Sequence, residues 1–306
     1  MKKVIILFCS LFILALCWYL FIKEYDYQIT FESSYGPGTA YQEVFDLETL
    51  TSTDSLKTIK LKSWKPFNEI TQTVHLKEVD SIDLIWNFEQ LRDSITKITV
   101  STRSTNNKFS QRLSIINPFQ KSDYIQELKG DLIAFKKQLY LFQETYKIKM
   151  GEKPVTAPGA TCACITSTTS IQGKAGAMIA TIGTIEQFLS KNGLKQNGFP
   201  MVQVRHWYIP ENIITFDFCF PIAGNHAPRA GNDVFIRKIE PRKAINATFY
   251  GNYKLSHRAW FDLYERAKNE NISIIPEPLE VYHANPRNGG DPLTWQADIY
   301  MPIKAQ

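Results

Sequence analysis

The 306-residue sequence has only five histidines, and they show no metal-ligand spacing. His75, His206, His226, His257 and His283 form no HExxH or comparable arrangement, so no metal site is expected. A phosphate loop is missing too. Gly173-Lys174 comes nearest, but Thr168 stands where the first glycine belongs and Ala175 where Ser or Thr belongs. No nucleotide site follows, and no cofactor of any kind is expected. Charge of one sign is also scarce: 35 Lys and Arg against 30 Asp and Glu leave +5, with two of the positive charges, Lys2 and Lys3, placed before an apolar run. So small an excess gives nucleic-acid binding no support, and no helix-turn-helix segment precedes the C-terminal half. What remains is a well-mixed chain, 44% hydrophobic and 13% aromatic, which excludes a disordered or low-complexity protein. Its length suggests two domains.

One long apolar stretch is present. Val4 to Ile22 reads VIILFCSLFILALCWYLFI, without a charge. As a helix it would span roughly 28 Å, close to the hydrocarbon thickness of a bilayer. Lys2 and Lys3 before it and Lys23 after it favour an N-terminus in the cytoplasm, with everything after Lys23 on the outer, periplasmic side. Three alternatives compete. A cleaved signal peptide would need a shorter apolar region and an A-x-A-like site, which is not found before Tyr25. A lipoprotein signal ending at Cys17 would have a small residue where Leu16 stands. A buried soluble helix would show a polar stripe. A single-span membrane anchor over residues 4–22 fits best.

Cys9 and Cys17 fall inside that run, leaving Cys162, Cys164 and Cys219 for the folded part. Cys162 and Cys164, two apart in a strand-like stretch, point side by side, a poor geometry for a disulfide. The plain reading of these cysteines is as small buried hydrophobes.

Beyond the anchor, period-two runs at Gln28–Phe31, Ile70–Leu76, Asp83–Phe88, Ile95–Thr102 and Phe109–Ile115 read as antiparallel strands with one buried face. Pro118 breaks the pattern. Ser122–Lys147 then reads as a long amphipathic helix, with Tyr124, Leu128, Leu132, Phe135, Leu139 and Phe142 three or four apart. In element order this region, residues 24–150, resembles the SRPBCC (START-like) helix-grip domains, which enclose apolar ligands. GEKPVTAPG (151–159), rich in Pro and Gly, reads as a domain boundary.

Residues 151–306 carry an internal duplication. Strand-like Thr161–Thr166, a helix ending at Asn192-Gly193, then FPMVQVRHW (199–207) and ITFDFCFPI (214–222) are echoed by Ile245–Tyr250, a helix over Leu255–Lys268, EPLEVYH (277–283) and WQADIYMPI (295–303). Asp217 and Pro221 recur as Asp298 and Pro302, 81 residues on. The unit is strand, helix, strand, strand, used twice in one shared sheet. The fold class is therefore α+β: an N-terminal transmembrane helix (1–23), a helix-grip-like antiparallel sheet with a long C-terminal helix, and the duplicated domain.

Several residues in this segment carry a family resemblance. Tyr250-Gly251-Asn252-Tyr253 stands ahead of a helix containing Trp260, Glu277-Pro278-Leu279-Glu280-Val281-Tyr282 is followed by Asn285-Pro286, and Trp295 to Pro302 completes the pattern. Residues from about 160 to 306 resemble the GyrI-like domain, the effector-binding domain of bacterial transcription activators. The resemblance implies a paired-unit fold around a ligand cleft, with an acidic residue at Asp298's position, usually Glu, contacting cationic or polar ligands. The whole arrangement resembles membrane-anchored bacterial relatives of those proteins.

Alternation places Trp295, Ala297, Ile299 and Met301 on one face of the last strand and Gln296, Asp298 and Tyr300 on the other; Asp217 sits correspondingly in the first copy. With helices on the apolar face, Asp217 and Asp298 are expected on the opposite face, toward a groove between the halves. Tyrosines and tryptophans beside a carboxylate suit a flat or cationic organic ligand. The candidate ligand-binding residues are Asp298, Tyr300, Tyr282, Trp207, Tyr250, Tyr253 and Asp217, with Tyr300 and Tyr282 foremost. Three functions follow: a membrane-tethered small-molecule binding protein; a hydrolase of small electrophiles using Asp298 to direct water, which rests on the resemblance; and a cell-envelope interaction protein with a filled groove. The expected partners are a small organic ligand and the membrane.

Overall fold

The computed structural model describes residues 2–47, 49–52, 55–75, 81–92, 95–105, 108–116, 122–223 and 233–304. Leu76, Pro118 and His226 lie outside them. The chain divides into two compact units, Met1–Tyr140 and Leu141–Gln306.

The first unit begins with helix α1 (Lys2–Cys17), continued by one wide turn through Trp18–Ile22. The apolar stretch Lys3–Ile22 is long and apolar enough to cross a membrane, and a signal sequence would meet the same criteria. Next come β1 (Tyr27–Ser33), α2 (Pro37–Phe45), β2 (Thr49–Ser52), β3 (Ser55–Lys65), β4 (Glu69–Val74), β5 (Ile82–Arg92), β6 (Ile95–Ser104), α3 (Lys108–Ile116) and α4 (Asp123–Gln143), whose last residues pass into the second unit. The strands form one antiparallel sheet in the order β1-β6-β5-β4-β3-β2. Alternation in β5 turns Leu84, Trp86 and Phe88 to one face. There Trp86 meets Phe135 of α4 edge-on at 5.5 Å and Phe88 meets Tyr41 of α2 at 5.7 Å. Leu128, Leu132 and Leu139 complete this core.

One expectation needs correction here, and one element was not foreseen. Phe109–Ile115 is helical, as part of α3. Phe109, Leu113 and Ile116 are spaced for one helical face as readily as their neighbours alternate, and what settles the choice is Arg112, which the helix turns inward. Helix α2, starting at the Pro37 of a Gly-Pro-Gly turn, has no counterpart in the sequence reading; Pro at its first position supplies a preset φ.

Arg112 fastens the apolar helix to the unit. Its guanidinium donates to Asp26 Oδ1 at 2.6 Å and to the carbonyls of Tyr19, Leu20 and Lys23, which are end carbonyls of the apolar helix. Phe109 of α3 stacks on Phe21 at 5.8 Å.

The second unit contains β7 (Tyr146–Met150), β8 (Val155–Ala157), β9 (Ala160–Ser170), α5 (Lys174–Lys191), β10 (Met201–Tyr208), β11 (Ile213–Pro221), β12 (Phe235–Ile239), β13 (Arg242–Gly251), a 3-10 turn at Tyr253–Leu255, α6 (Arg258–Asn269), β14 (Leu279–Tyr282) and β15 (Gln296–Pro302). They make a nine-stranded curled antiparallel sheet in the order β12-β9-β11-β10-β14-β15-β13-β7, with β8 also on β13. The Pro- and Gly-rich stretch 151–159 thus contains a strand of this sheet. Each copy of the repeat contributes strand, helix, strand, strand, and β10 lies against β14 with Val202 opposite Glu280. Gly251 closes β13 at φ +153, where a Cβ would lie 2.7 Å from Tyr146 Cβ, so the turn into the 3-10 segment needs glycine.

The cysteines also depart from expectation. Cys164 of β9 and Cys219 of β11 are directly opposite in register, with Cα atoms 4.1 Å apart, and form a disulfide. The bridge lies across strands, between residues 55 apart in sequence, and not between the two neighbours in β9. Cys162 stays a buried free thiol, its pKa pushed up to about 12 by burial.

Candidate functional site

The duplication is preserved in a Thr–Asp hydrogen bond on one face of the sheet. Thr166 of β9 donates to Asp217 of β11 at 2.7 Å, and Thr248 of β13 donates to Asp298 of β15 at 3.1 Å. Each pair is directly opposite in register. The second oxygen of each Asp meets a basic side chain from the central strand of its own copy or the segment after it. Arg205 lies 3.9 Å from Asp217, and His283, 78 residues further on, lies 2.8 Å from Asp298. Arg237 of β12 adds a 2.9 Å ion pair to Asp217.

Part of this face is a packed core. Ala157, Cys162, Cys164, Met201, Cys219, Ile239, Ala244, Leu279 and Val281 pack into one cluster, and Tyr300 leans on it. Ala157 of β8 and Ile239 of β12 bring these two strands into the cluster. Asp217 is wholly buried, whereas Asp298 is partly exposed and also accepts from Gln296 at 3.1 Å. Burial and the Asp298 carboxylate raise the pKa of Tyr300. Phe199 packs on His283 at 4.5 Å. Tyr250, opposite Gln296, shares this face.

The other face, covered by α5 and α6, holds a second group. Register places Tyr282 opposite Ala297 and Glu280 opposite Ile299, on the side away from Asp298. Tyr282 therefore does not join Asp298 and Tyr300. It joins Glu280, Lys174, Ser256 and Trp260, drawn from β14, the first residue of α5, the turn before α6, and α6 itself. Lys174 Nζ donates to Glu280 Oε2 at 2.6 Å and to Ser256 Oγ at 2.7 Å, and lies 3.5 Å from the Tyr282 hydroxyl. Trp260 Nε1 donates to Glu280 Oε1 at 2.7 Å, and the Tyr282 hydroxyl donates to Glu280 Oε2. Ser256 Oγ lies 3.1 Å from both carboxylate oxygens. The ammonium also stands 4.8 Å from the centre of the Trp260 ring. Lys174 and Glu280 are both 0% exposed.

The electrostatics follow from that burial. Desolvation lowers the Lys174 pKa while the Glu280 charge and hydrogen bond oppose it. Tyr282 is raised well above its ordinary value by burial and then by Glu280. His257 is held well below the ordinary histidine range by burial and by the nearby positive charges of Lys174 and Arg258. Around this centre, Tyr253 packs on Tyr282 at 4.6 Å, and its hydroxyl ties the carbonyl of Gln296 to the amide of Ala284. Trp207, turned by a register shift between Val204 and His206, packs edge-on against Trp260 and Phe261.

Of the seven candidates, Tyr282, Tyr253 and Trp207 thus gather on the helix-covered face, and Asp298, Asp217, Tyr300 and Tyr250 on the other. Sequence reasoning missed Lys174, Glu280 and Ser256. A usable signal existed: Lys174 and Ser256 are 82 residues apart, as are Thr166 and Thr248, so the duplication places both at equivalent helix starts.

Residues 153–304 match the family model of the GyrI-like small molecule binding domain, and this part of the chain is a GyrI-like domain. No curated protein is matched. Among solved structures, the chain is similar to the C-terminal domain of EcmrR at 15% identity and a TM-score of 0.43, over 53% of this chain and 99% of that one. It is also similar to SAV2435 bound to tetraphenylphosphonium, at 14% identity and a TM-score of 0.35, over 52% and 94%. A hydrolase from Listeria innocua gives 13% identity and a TM-score of 0.33, over 56% and 98%.

Proposed function

We propose that the protein is a membrane-tethered small-molecule binding protein whose GyrI-like domain holds an organic ligand over the helix-covered face of its sheet. The carrying observation is the convergence of Glu280, Lys174, Ser256, Tyr282 and Trp260 from four separate segments at the meeting line of the two copies. Buried charge and hydroxyl groups are costly unless they are mutually bonded. An assembly of this kind next to tyrosine and tryptophan rings marks a recognition centre.

Support for the tether comes from the apolar Lys3–Ile22 stretch together with the Arg112 clasp on its end carbonyls, which fits a helix retained in the mature protein. A Cys164–Cys219 disulfide suits an oxidising compartment, in line with folded units outside the cytoplasm. The first unit is read as a helix-grip-type domain.

The test is a thermal-shift screen of the full-length protein in detergent against small organic compounds, followed by titration of tryptophan emission. At least one compound is expected to raise the unfolding midpoint and to bind about tenfold more weakly to Tyr282→Phe, which loses the hydroxyl that fixes Glu280 at the centre, a bond worth about 1.4 kcal/mol. No shift with any compound, or binding indifferent to Tyr282, would falsify this assignment.

A further inference from the structure

Lys174 Nζ is surrounded by groups that suit an ammonium. An ammonium is bound best by a carboxylate, hydroxyl acceptors and an aromatic face together. Glu280 supplies the first at 2.6 Å, Ser256 a hydroxyl at 2.7 Å, Tyr282 a second hydroxyl at 3.5 Å, and Trp260 the ring face at 4.8 Å. Trp260 Nε1 holds the other oxygen of Glu280, Oε1, and the Tyr282 hydroxyl donates to the same Oε2 that Lys174 meets. The two copies differ at this point. Glu280 lies directly opposite Val202 of β10, its counterpart 78 residues earlier, so the acid is present once, on the line where the copies meet. Lys174 reaches it from α5, across from Ser256 at the equivalent place before α6.

We propose that Glu280, Trp260, Tyr282 and Ser256 form a cation-recognition cage whose permanent occupant is the chain's own Lys174, so that free organic cations are excluded from it and the ligand of this domain carries no cationic group. The proposal deepens the small-molecule reading above and rests on it.

The experiment vacates the cage and refills it. Full-length Lys174→Ala is titrated with n-butylammonium, which reproduces the removed stem and head group, and with n-butanol as the uncharged match. Butylammonium is expected to raise the unfolding midpoint of Lys174→Ala in a concentration-dependent way, with n-butanol inactive and the wild-type midpoint unmoved. Adding Glu280→Gln to the variant is expected to abolish the effect. Should Lys174→Ala accumulate unfolded, recovery of folded protein when it is purified with butylammonium is the expected result, and failure to recover overturns the proposal. It is equally overturned if butylammonium leaves a folded Lys174→Ala unchanged, which would make the cage solid core, or if wild-type protein binds tetraphenylphosphonium as tightly as the variant does. Failure of every compound in the wider screen would sink the small-molecule reading while leaving the amine result intact, so the two can fail separately.

Discussion

Arg112 Nε donates to Asp26 Oδ1 at 2.6 Å, and the two side chains are 3% and 1% exposed. The pair joins α3 to the segment leaving the apolar helix, and the remaining guanidinium donors close on end carbonyls of that helix. Removing one partner leaves the other as an uncompensated buried charge. Arg112→Ala is expected to destabilise the first unit by about 3–5 kcal/mol and to expose the segment around Lys23 to trypsin. Thermal unfolding and the time course of cleavage measure both. An Asp26→Asn, Arg112→Met double variant should recover much of the loss; an additive double variant would show that the two groups do not act as a pair.

The disulfide makes a separate prediction. Closing the segment between Cys164 and Cys219, 55 residues apart, is worth about 4 kcal/mol on the chain-entropy estimate. Reductant, or Cys219→Ala, should lower the unfolding midpoint of the second unit. Alkylation of native protein followed by mass spectrometry should leave both residues unlabelled. Cys162, buried and with its thiol pushed up to about 12, should also resist alkylation until the protein unfolds.

Asp217 and Asp298 occupy equivalent places with unequal surroundings. Asp217 is fully buried against Arg237, while Asp298 is partly open. Asp217→Asn is expected to cost about 1–3 kcal/mol, because a wholly buried carboxylate that accepts from Thr166 and pairs with the partly exposed Arg237 is lost, and Asp298→Asn less than about 1 kcal/mol. Chemical denaturation of the two variants side by side provides the comparison. Equal costs would show that the two sites are energetically equivalent despite their different burial.

Asp262 on α6 gives a pH signature. Burial raises its pKa from 3.8 to about 6, with the Arg258 charge opposing. A group raised in the folded state favours folding below its unfolded value, and that contribution is lost as pH rises through the folded value. Asp262→Asn is therefore expected to stabilise the protein by on the order of 1 kcal/mol at pH 8, with the gain shrinking through pH 6 and gone near pH 4. Unfolding midpoints of wild type and variant across that range read the difference. A gain independent of pH would assign it to packing.

The repeated strand-helix-strand-strand order was readable because it depends on residues close in sequence. Alternation, amphipathic spacing and the Asp-x-x-x-Pro recurrence are local patterns, and they place Asp217 and Asp298 on like positions of like strands. Phe109–Ile115 was ambiguous because its apolar residues suit either period, and only burial of Arg112 against Asp26, 86 residues away, selects the helix. Helix α2 was hidden by its opening Gly-Pro-Gly.

The amino-acid order alone determined the apolar N-terminal run, the duplication and the alternation of the strands, since each is a property of neighbouring side chains and backbone periodicity. Tertiary structure decided which face of the sheet gathers charge. Lys174 and Glu280 meet across 106 residues, and Cys164 finds Cys219 across 55. Such encounters depend on strand register and on the packing of α5 against the sheet, and sheet register over long range leaves no mark on either partner's immediate sequence.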